Sequence, residues 1–542
     1  MVVNKSTHQK KASLLDLTQE FYQQEAVLKE GGEQAGRERQ KRLGRMTVRE
    51  RLDALLDKGS SFFELGIWAG YKMYPEWGDL PAAGVVAGIG RIANRDCMVV
   101  ANDATVKAGA FFPQSVKKVL RAQRIAYECR LPVIYLVDSS GVFLPLQSEI
   151  FPDEDDFGRI FRNNAVFSAA GIPQFAAIMG NCIAGGGYLP VLCDKLLMTK
   201  GSGLYLAGPA LVKAAIGQVV DTEELGGAQM HAEISGTVDF YEPDDASCLA
   251  RLRSLVEMIP QDDKHKIVEP HESISDPHTC YNLVGADNSK AYDVRDIIAG
   301  IIDKDSMNEY KALYGRTLVT AYAKINGMSV GIVANQRTNT TTGKGEVEIG
   351  GVLYSDSADK AARFIMDCNQ LKIPLVFLQD VVGFMVGREA EQSGIIRSGA
   401  KLVNAVSNSI VPKITVVIGN SFGAGNYALC GKAYDPNFIV AWPNAKYAVM
   451  GAEQASNTLF TIQERAAARD GKEHDQKEGH EMRLKIKDRY EEQMDIRFGA
   501  ARGWIDAIIP PHQTRETLTF FLQMVKRAPP TTRTFHTGVL QV

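Results

Sequence analysis

Two stretches of this 542-residue chain have the residue types and spacing to do chemistry. Residues 180–190 read GNCIAGGGYLP and residues 419–429 read GNSFGAGNYAL, each directly after an apolar run. A buried strand that ends in a small-residue turn opening a helix leaves backbone N–H groups without partners. Glycine lets a ligand come close to that backbone, and adjacent N–H groups aimed at a developing oxyanion are the usual catalytic use of such a turn. Tight packing of helix on sheet accounts for one glycine cluster. It does not require both stretches to keep G-N-x-x-small-small-Gly-x-Tyr, ending at Tyr188 and Tyr427, so two related oxyanion sites are the favoured reading.

The elements that must position these turns also occur twice. TVRERLDALLDKGS (47–60) is answered by DVRDIIAGIIDKDS (293–306), VVAND (99–103) by IVANQ (332–336), and RLPVIYLVDSSGVFL (130–144) by KIPLVFLQDVVGFMV (372–386). GIPQFAAIMGN (171–181) is answered by IVPKITVVIGN (410–420), and Arg121 by Arg363; offsets stay between 233 and 246. So long a period is not a solenoid repeat. Short β-branched runs bounded by Pro and Gly alternate with helical patterns such as SVKKVLRAQRIAYEC and DSADKAARFIMDCNQ, which marks βαβ units. The expectation is an α/β fold made of two homologous domains, residues 1–282 and 283–542, with the boundary in the polar segment 265–282. Residues 464–493 read as a charged helical insertion, and 337–351 as an irregular one.

Bulk properties exclude several classes. A formal charge of -3 gives no electrostatic reason to expect nucleic acid or an anionic membrane as partner. The eight cysteines include no CxxC pair and the histidines form no cluster, so no metal site is expected and the thiols read as free. The N-terminus lacks a secretory apolar segment, and its first arginine is Arg37, which reads as a cytoplasmic protein, with a mitochondrial matrix location the lesser alternative. The uncharged run 163–193 contains Pro173, Pro190 and three consecutive glycines, fitting buried strand, loop and helix better than a membrane span. No P-loop, HExxH or nucleophile elbow is present, and GIGR (88–91) is too partial for a dinucleotide loop. Asp138 and Asp380 fall at strand ends, where they either serve catalysis or cap turns.

With these motifs in view, the chain resembles the carboxyltransferase (β) subunits of biotin-dependent acyl-CoA carboxylases, above all the methylcrotonyl-CoA branch. FPDEDDFGRIFRNNA (151–165), YLAGPALVKAAIGQVVDTEELGGAQMH (205–231), QDVVGFMVGREAEQSGI (379–395), the run 411–445 and VMGAEQASNTL (449–459) carry the resemblance. It implies two crotonase-like domains, with the active site where the first domain of one subunit meets the second domain of another. It implies that Gly185 and Gly186 hold the thioester oxygen of the acyl-CoA, and Ala424 and Gly425 the ureido oxygen of biotin. Ser140, Gly141, Ala184, Gly383 and Phe384 are the further substrate-binding candidates.

No side-chain base is implied, since in this family the biotin nitrogen is thought to take the substrate proton. The chain has no biotinyl A-M-K-M motif and no ATP-grasp pattern, so biotin is expected on a separate biotin carboxylase or biotin carboxyl carrier subunit. Coenzyme A arrives as part of the substrate, and a cross-subunit site requires a homo-oligomer, from dimer to hexamer. Where methylcrotonyl-type chains read DSGGAxLPRQ, this one reads DSSGVFLPLQ (138–147), which leaves acetyl-, propionyl-, geranyl- and other branched acyl-CoA open as substrates. The competing reading is a glutaconyl-CoA decarboxylase-type α subunit, running the transfer from acyl-CoA to biotin. A CoA-binding scaffold without catalysis would require one glycine pair to be spoiled, and both are intact.

Overall fold

The hairpin near the start of each sheet turns on two residues in the left-handed region, which sets its register. Ala93 (φ 49°) and Asn94 (φ 63°) join strands Val85–Ile92 and Arg95–Asn102, while Asn326 (φ 45°) and Gly327 (φ 75°) join Leu318–Ile325 and Met328–Asn335. Such turns match the right-handed twist of the flanking strands. A carboxylate from outside the hairpin holds each one. Asp57 accepts the Ala93 and Asn94 N–H groups at 2.8 and 2.7 Å, and Asp303 accepts those of Asn326 and Gly327, both at 2.7 Å. Arg253 pairs with Asp57 and Arg515 with Asp303.

The structure is a computed structural model describing residues 13–260, 271–469, 476–529 and 532–541. Residues 1–12 of the N-terminus, 265–270 of the expected boundary segment and 470–475 of the charged insertion lie outside the described residues. Two eight-stranded mixed sheets form an α/β fold. The first runs Phe62–Leu65, Val85–Ile92, Arg95–Asn102, Val133–Ser139, Gln174–Ile183, Lys195–Thr199, Phe240–Glu242, with Gly203–Tyr205 beside the end of Gln174–Ile183. The second runs Asn308–Glu309, Leu318–Ile325, Met328–Asn335, Leu375–Val381, Lys413–Phe422, Phe438–Ala441, Ala507–Ile508, with Lys446–Ala448 beside the end of Lys413–Phe422. GIGR lies within the strand Val85–Ile92, where a Cβ on Gly90 would come 2.5 Å from Leu56 Cδ2, so this glycine answers to packing.

One long amphipathic helix covers each sheet. Pro113–Cys129 buries Val116, Val119, Ala122, Ile125, Ala126 and Cys129, and Ser355–Leu371 buries Ala358, Ala361, Phe364, Ile365 and Cys368, the spacing of a core-facing helical stripe. Both stop on a left-handed basic residue, Arg130 (φ 56°) and Lys372 (φ 57°), two positions before a proline that enters the next strand. Each buries a lysine. Lys118 Nζ donates to the Ala82 carbonyl at 3.1 Å and Lys360 Nζ to that of Leu318 at 2.6 Å. Burial pulls their pKa values down to about 7 and about 8.

The uncharged run 163–193 divides into the end of helix Phe157–Ala169, strand Gln174–Ile183 and the turn that follows. No helix among the described residues is long and apolar enough to cross a membrane. The insertions form a helical pair, Ala452–Arg469 and Gln476–Met494, and a small hairpin, Thr340–Thr341 with Val347–Glu348. The halves share their cores. One apolar cluster includes Val85, Met98 and Tyr135 of the first sheet with Ile332, Val376 and Ile414 of the second. Another sets Phe21, Ile67 and Trp68 against Val417, Ile439 and Ala441.

Between the halves Arg121 grips the fully buried Asp506 with two N–H groups, at 2.8 and 2.7 Å, and Lys432 adds a third contact at 2.7 Å. Burial opposes the charge, yet Arg121 and Lys432 hold the Asp506 carboxyl well below the usual carboxylate range. The matched Arg363 is exposed and pairs with Asp367 of its own helix, at 3.6 Å.

Candidate active site

Each glycine turn begins where a central strand leaves its sheet. Gln174–Ile183 ends at Ala184 (φ 60°) and Lys413–Phe422 ends at Gly423 (φ 53°), so both turns open on a left-handed residue at matched positions. For alanine that conformation costs about 1–2 kcal/mol. A 3-10 turn, Ala184–Gly187, then runs into the short helix Tyr188–Val191, and Gly423–Ala428 forms a single short helix. The first N–H groups of such turns have no carbonyl one turn behind them.

The environments of the four glycine-turn candidates differ. Gly185 is exposed and a Cβ there would meet nothing within 4 Å; at Gly186 the nearest atoms would be Phe157 Cζ at 3.8 Å and Gly141 Cα at 4.0 Å. Neither glycine is demanded by packing, and both leave the backbone approachable. Ala424 is exposed like its counterpart Gly185. Gly425 is buried, and a Cβ there would come 2.5 Å from Val381 Cγ2.

The weaker candidates fall into the same two groups. Gly141 (φ 88°) is buried beside Gly186, its N–H donating to Ser139 Oγ at 3.1 Å. Ser140 is exposed and its N–H donates to the Ala108 carbonyl at 3.1 Å. Gly383 (φ 137°) and Phe384 form a short strand parallel to Val352–Leu353 that touches the Gly423–Ala428 turn. Among the described residues no hydrogen bond or ion pair joins the two turns.

Asp138 and Asp380 sit where the pairing register slips, between Val137 and Ser139 and between Gln379 and Val381. A bulge re-aims a side chain, and here it points each carboxylate under the neighbouring strand's Gly-Asn pair. Asp138 accepts the Asn181 N–H at 3.2 Å and Gln40 Nε2 at 3.2 Å, with Arg51 at 3.5 Å. Asp380 accepts the Asn420 N–H at 2.8 Å and the Tyr292 hydroxyl at 2.9 Å, with Arg337 Nε at 3.0 Å. Burial raises the Asp380 pKa against the pull of Arg337. A Cβ on Gly180 or Gly419 would land on these carboxylates, so the first glycine of each stretch makes room for an anchor. Arg51, Gln40, Tyr292 and Arg337 escaped sequence reasoning because their positions are far from both turns in the chain.

The residues that depart from the methylcrotonyl pattern do not all face the turn. Phe143 stacks on Phe112 at 4.2 Å and meets Trp77 edge-on at 5.2 Å, and Leu146 joins that apolar cluster.

A left-handed residue, a short helical turn and a buried carboxylate anchor are thus set twice on one mixed α/β frame. Residues 39–537 match the carboxyl transferase domain model, and the chain belongs to that family. It is 45% identical over 502 residues to the mitochondrial methylcrotonoyl-CoA carboxylase beta chain of Dictyostelium discoideum, covering 92% of this chain and 83% of that one. It is likewise 45% identical over 505 residues to the biotin-dependent 3-methylcrotonyl-coenzyme A carboxylase beta1 subunit of Mycobacterium tuberculosis, covering 92% of each. The crystal structure of the P. aeruginosa geranyl-CoA carboxylase beta subunit superposes with a TM-score of 0.85 at 33% identity, covering 99% of both chains.

Proposed function

We propose that this chain is the carboxyltransferase subunit of a biotin-dependent acyl-CoA carboxylase, moving a carboxyl group from biotin on a partner subunit to a methylcrotonyl-CoA-like or other short or branched acyl-CoA. The observation that carries the reading is the pair of matched turns, each opened by a left-handed residue at 184 or 423 and each anchored by a buried carboxylate. Two substrates that each develop an enolate-like oxygen need one oxyanion hole apiece. The Gly185 and Gly186 amides serve the thioester oxygen, and the Ala424 and Gly425 amides the ureido oxygen. Bound biotin supplies the carboxyl group and a ring nitrogen to take the substrate proton. The residues of this chain orient the two partners and stabilise charge. The open space beside Gly185 and Gly186 fits a thioester approaching the backbone.

The two sheets of matching strand order support an origin by internal duplication, one sheet lying on each side of the division read from the sequence at 282/283. Exposed apolar residues lie in or beside both turns, Tyr188 and Leu206 at the first and Tyr427 and Val449 at the second. Exposed apolar side chains beside both turns favour burial against another chain. The first turn of one copy then faces the second turn of another in a homo-oligomer. The relatives named above act on β-methyl unsaturated acyl groups, which favours a γ-proton substrate.

A panel of acyl-CoA thioesters, assayed with the copurifying biotin subunit, bicarbonate and ATP while following labelled carboxylate, tests the assignment. Transfer to methylcrotonyl-CoA or a close analogue supports it, and failure with every short, branched and unsaturated thioester refutes it.

A further inference from the structure

Beneath the second turn lies a chain of three side chains. Gln379 Nε2 donates to the Leu429 carbonyl at 2.6 Å, Ser421 Oγ donates to Gln379 Oε1 at 2.6 Å, and Asn426 Nδ2 donates to Ser421 Oγ at 2.8 Å. Gln379 and Ser421 are buried, so water does not compete for these bonds and each strengthens the next. Asn426 follows Gly425 directly, and the Leu429 N–H donates to the Gly425 carbonyl at 3.2 Å. The turn is therefore tied, at Asn426 and again at Leu429, to the strand Leu375–Val381. Gly431 completes the arrangement, since a Cβ there would fall on Asn426 Oδ1.

At the matched positions the first turn has no such brace; its side-chain tie comes from a neighbouring helix, where Asn164 Nδ2 donates to the Leu189 carbonyl at 3.4 Å. At the positions matching Gln379, Ser421, Asn426 and Gly431 stand Val137, Cys182, Gly187 and Leu192. Valine and glycine offer no side-chain hydrogen bond. Both turns keep the carboxylate anchor under the strand end, so the brace is an addition peculiar to the second half.

We propose that Gln379, Ser421 and Asn426 are positioning residues that fix the direction of the Ala424 and Gly425 amides. On the functional reading above, they make the second turn a rigid seat for a flat ligand of constant shape, the cyclic urea of biotin. The first turn is left compliant toward acyl groups of differing shape. Preorganised donors act without reorganisation at the moment of reaction, and a small misdirection of a donor is costly.

The test uses Asn426→Gly, which installs the residue of the first turn, and Ser421→Ala as a second variant should the first fail to fold. In the assembled holoenzyme, transfer is measured from a carboxylated acyl-CoA to free biotin, titrating each substrate separately. The expected result is a rise of about tenfold in KM for free biotin, or an equal fall in kcat, with KM for the acyl-CoA within about twofold of wild type. Amide hydrogen exchange supplies a readout independent of activity: residues 423–429 exchange faster in both variants while 184–190 are unchanged. Equal rises in both KM values, or unchanged exchange at 423–429, overturn the proposal. A wild-type holoenzyme that exchanges carboxylate between no acyl-CoA and biotin overturns the functional reading instead, while the exchange data still decide whether the brace exists.

Discussion

The two turns share a frame and differ in what fills it. Behind Gly186 the nearest atom to an added Cβ is 3.8 Å away, whereas Gly425 is pressed against Val381. Gly187 gives the first turn no side-chain link to the neighbouring strand, whereas Asn426 links the second to Ser421 and Gln379. Glycine at matched positions thus has different surroundings: in the first turn it borders open space, in the second it permits close packing.

The anchors give the strongest way to break this comparison. Asp380→Ala strands Arg337 and is expected to lower stability by about 3–5 kcal/mol. Asp138→Ala should cost less, because Arg51 keeps Asp245 at 2.9 Å; urea denaturation of the two variants side by side checks the order. Next come the glycines. Gly186→Val is expected to lower kcat by about 10²–10³ with an unchanged melting temperature. Gly425→Val should lose activity and also about 1–3 kcal/mol of stability through the clash with Val381. Equal melting temperatures for these two variants would erase the distinction between an open and a packed turn.

The matched lysines give a smaller, pH-dependent effect. Lys118 titrates at about 7 in the folded protein and Lys360 at about 8, against about 10.4 for an unfolded lysine. As pH falls from about 10 toward 7, the unfolded chain takes up a proton that the folded chain refuses, so stability is lost in that window. Lys118→Met should remove a dependence of about 1 kcal/mol per pH unit down to pH 7, and Lys360→Met one that ends near pH 8. Denaturation at pH 7, 8.5 and 10 measures both. The smallest effect is at the left-handed residue. Ala184→Gly should gain about 0.5 kcal/mol, and Gly423→Ala should lose about 1 kcal/mol or more because its Cβ would also meet the Val449 carbonyl at 2.9 Å. Opposite signs in calorimetry are the result to look for.

The repeated Gly-Asn stretches led directly to both turns, because a strand-to-helix junction of small residues is written in consecutive positions. Asp138 and Asp380 were visible as a matched pair, but their role depends on a bulge that aims them at the adjacent strand, and register slips leave no mark in composition. The brace was also hidden, since Gln379 and Ser421 meet across 42 positions of chain. The replacement of Val137, Cys182 and Gly187 by Gln379, Ser421 and Asn426 was nonetheless a usable signal: three polar gains at matched positions in one half. Arg121 and Arg363 mislead in the opposite way, matching in sequence while one bridges the halves and the other faces solvent.

The shared interior has a consequence for how the chain folds. Ile67 and Trp68 of the first half sit among Val417, Ile439 and Ala441, and Arg121 reaches across to Asp506. Neither half can detach without baring apolar surface and leaving a charge unmatched. The described chain is therefore expected to melt in one cooperative transition, and either half expressed alone to be insoluble unless its sister is supplied in trans.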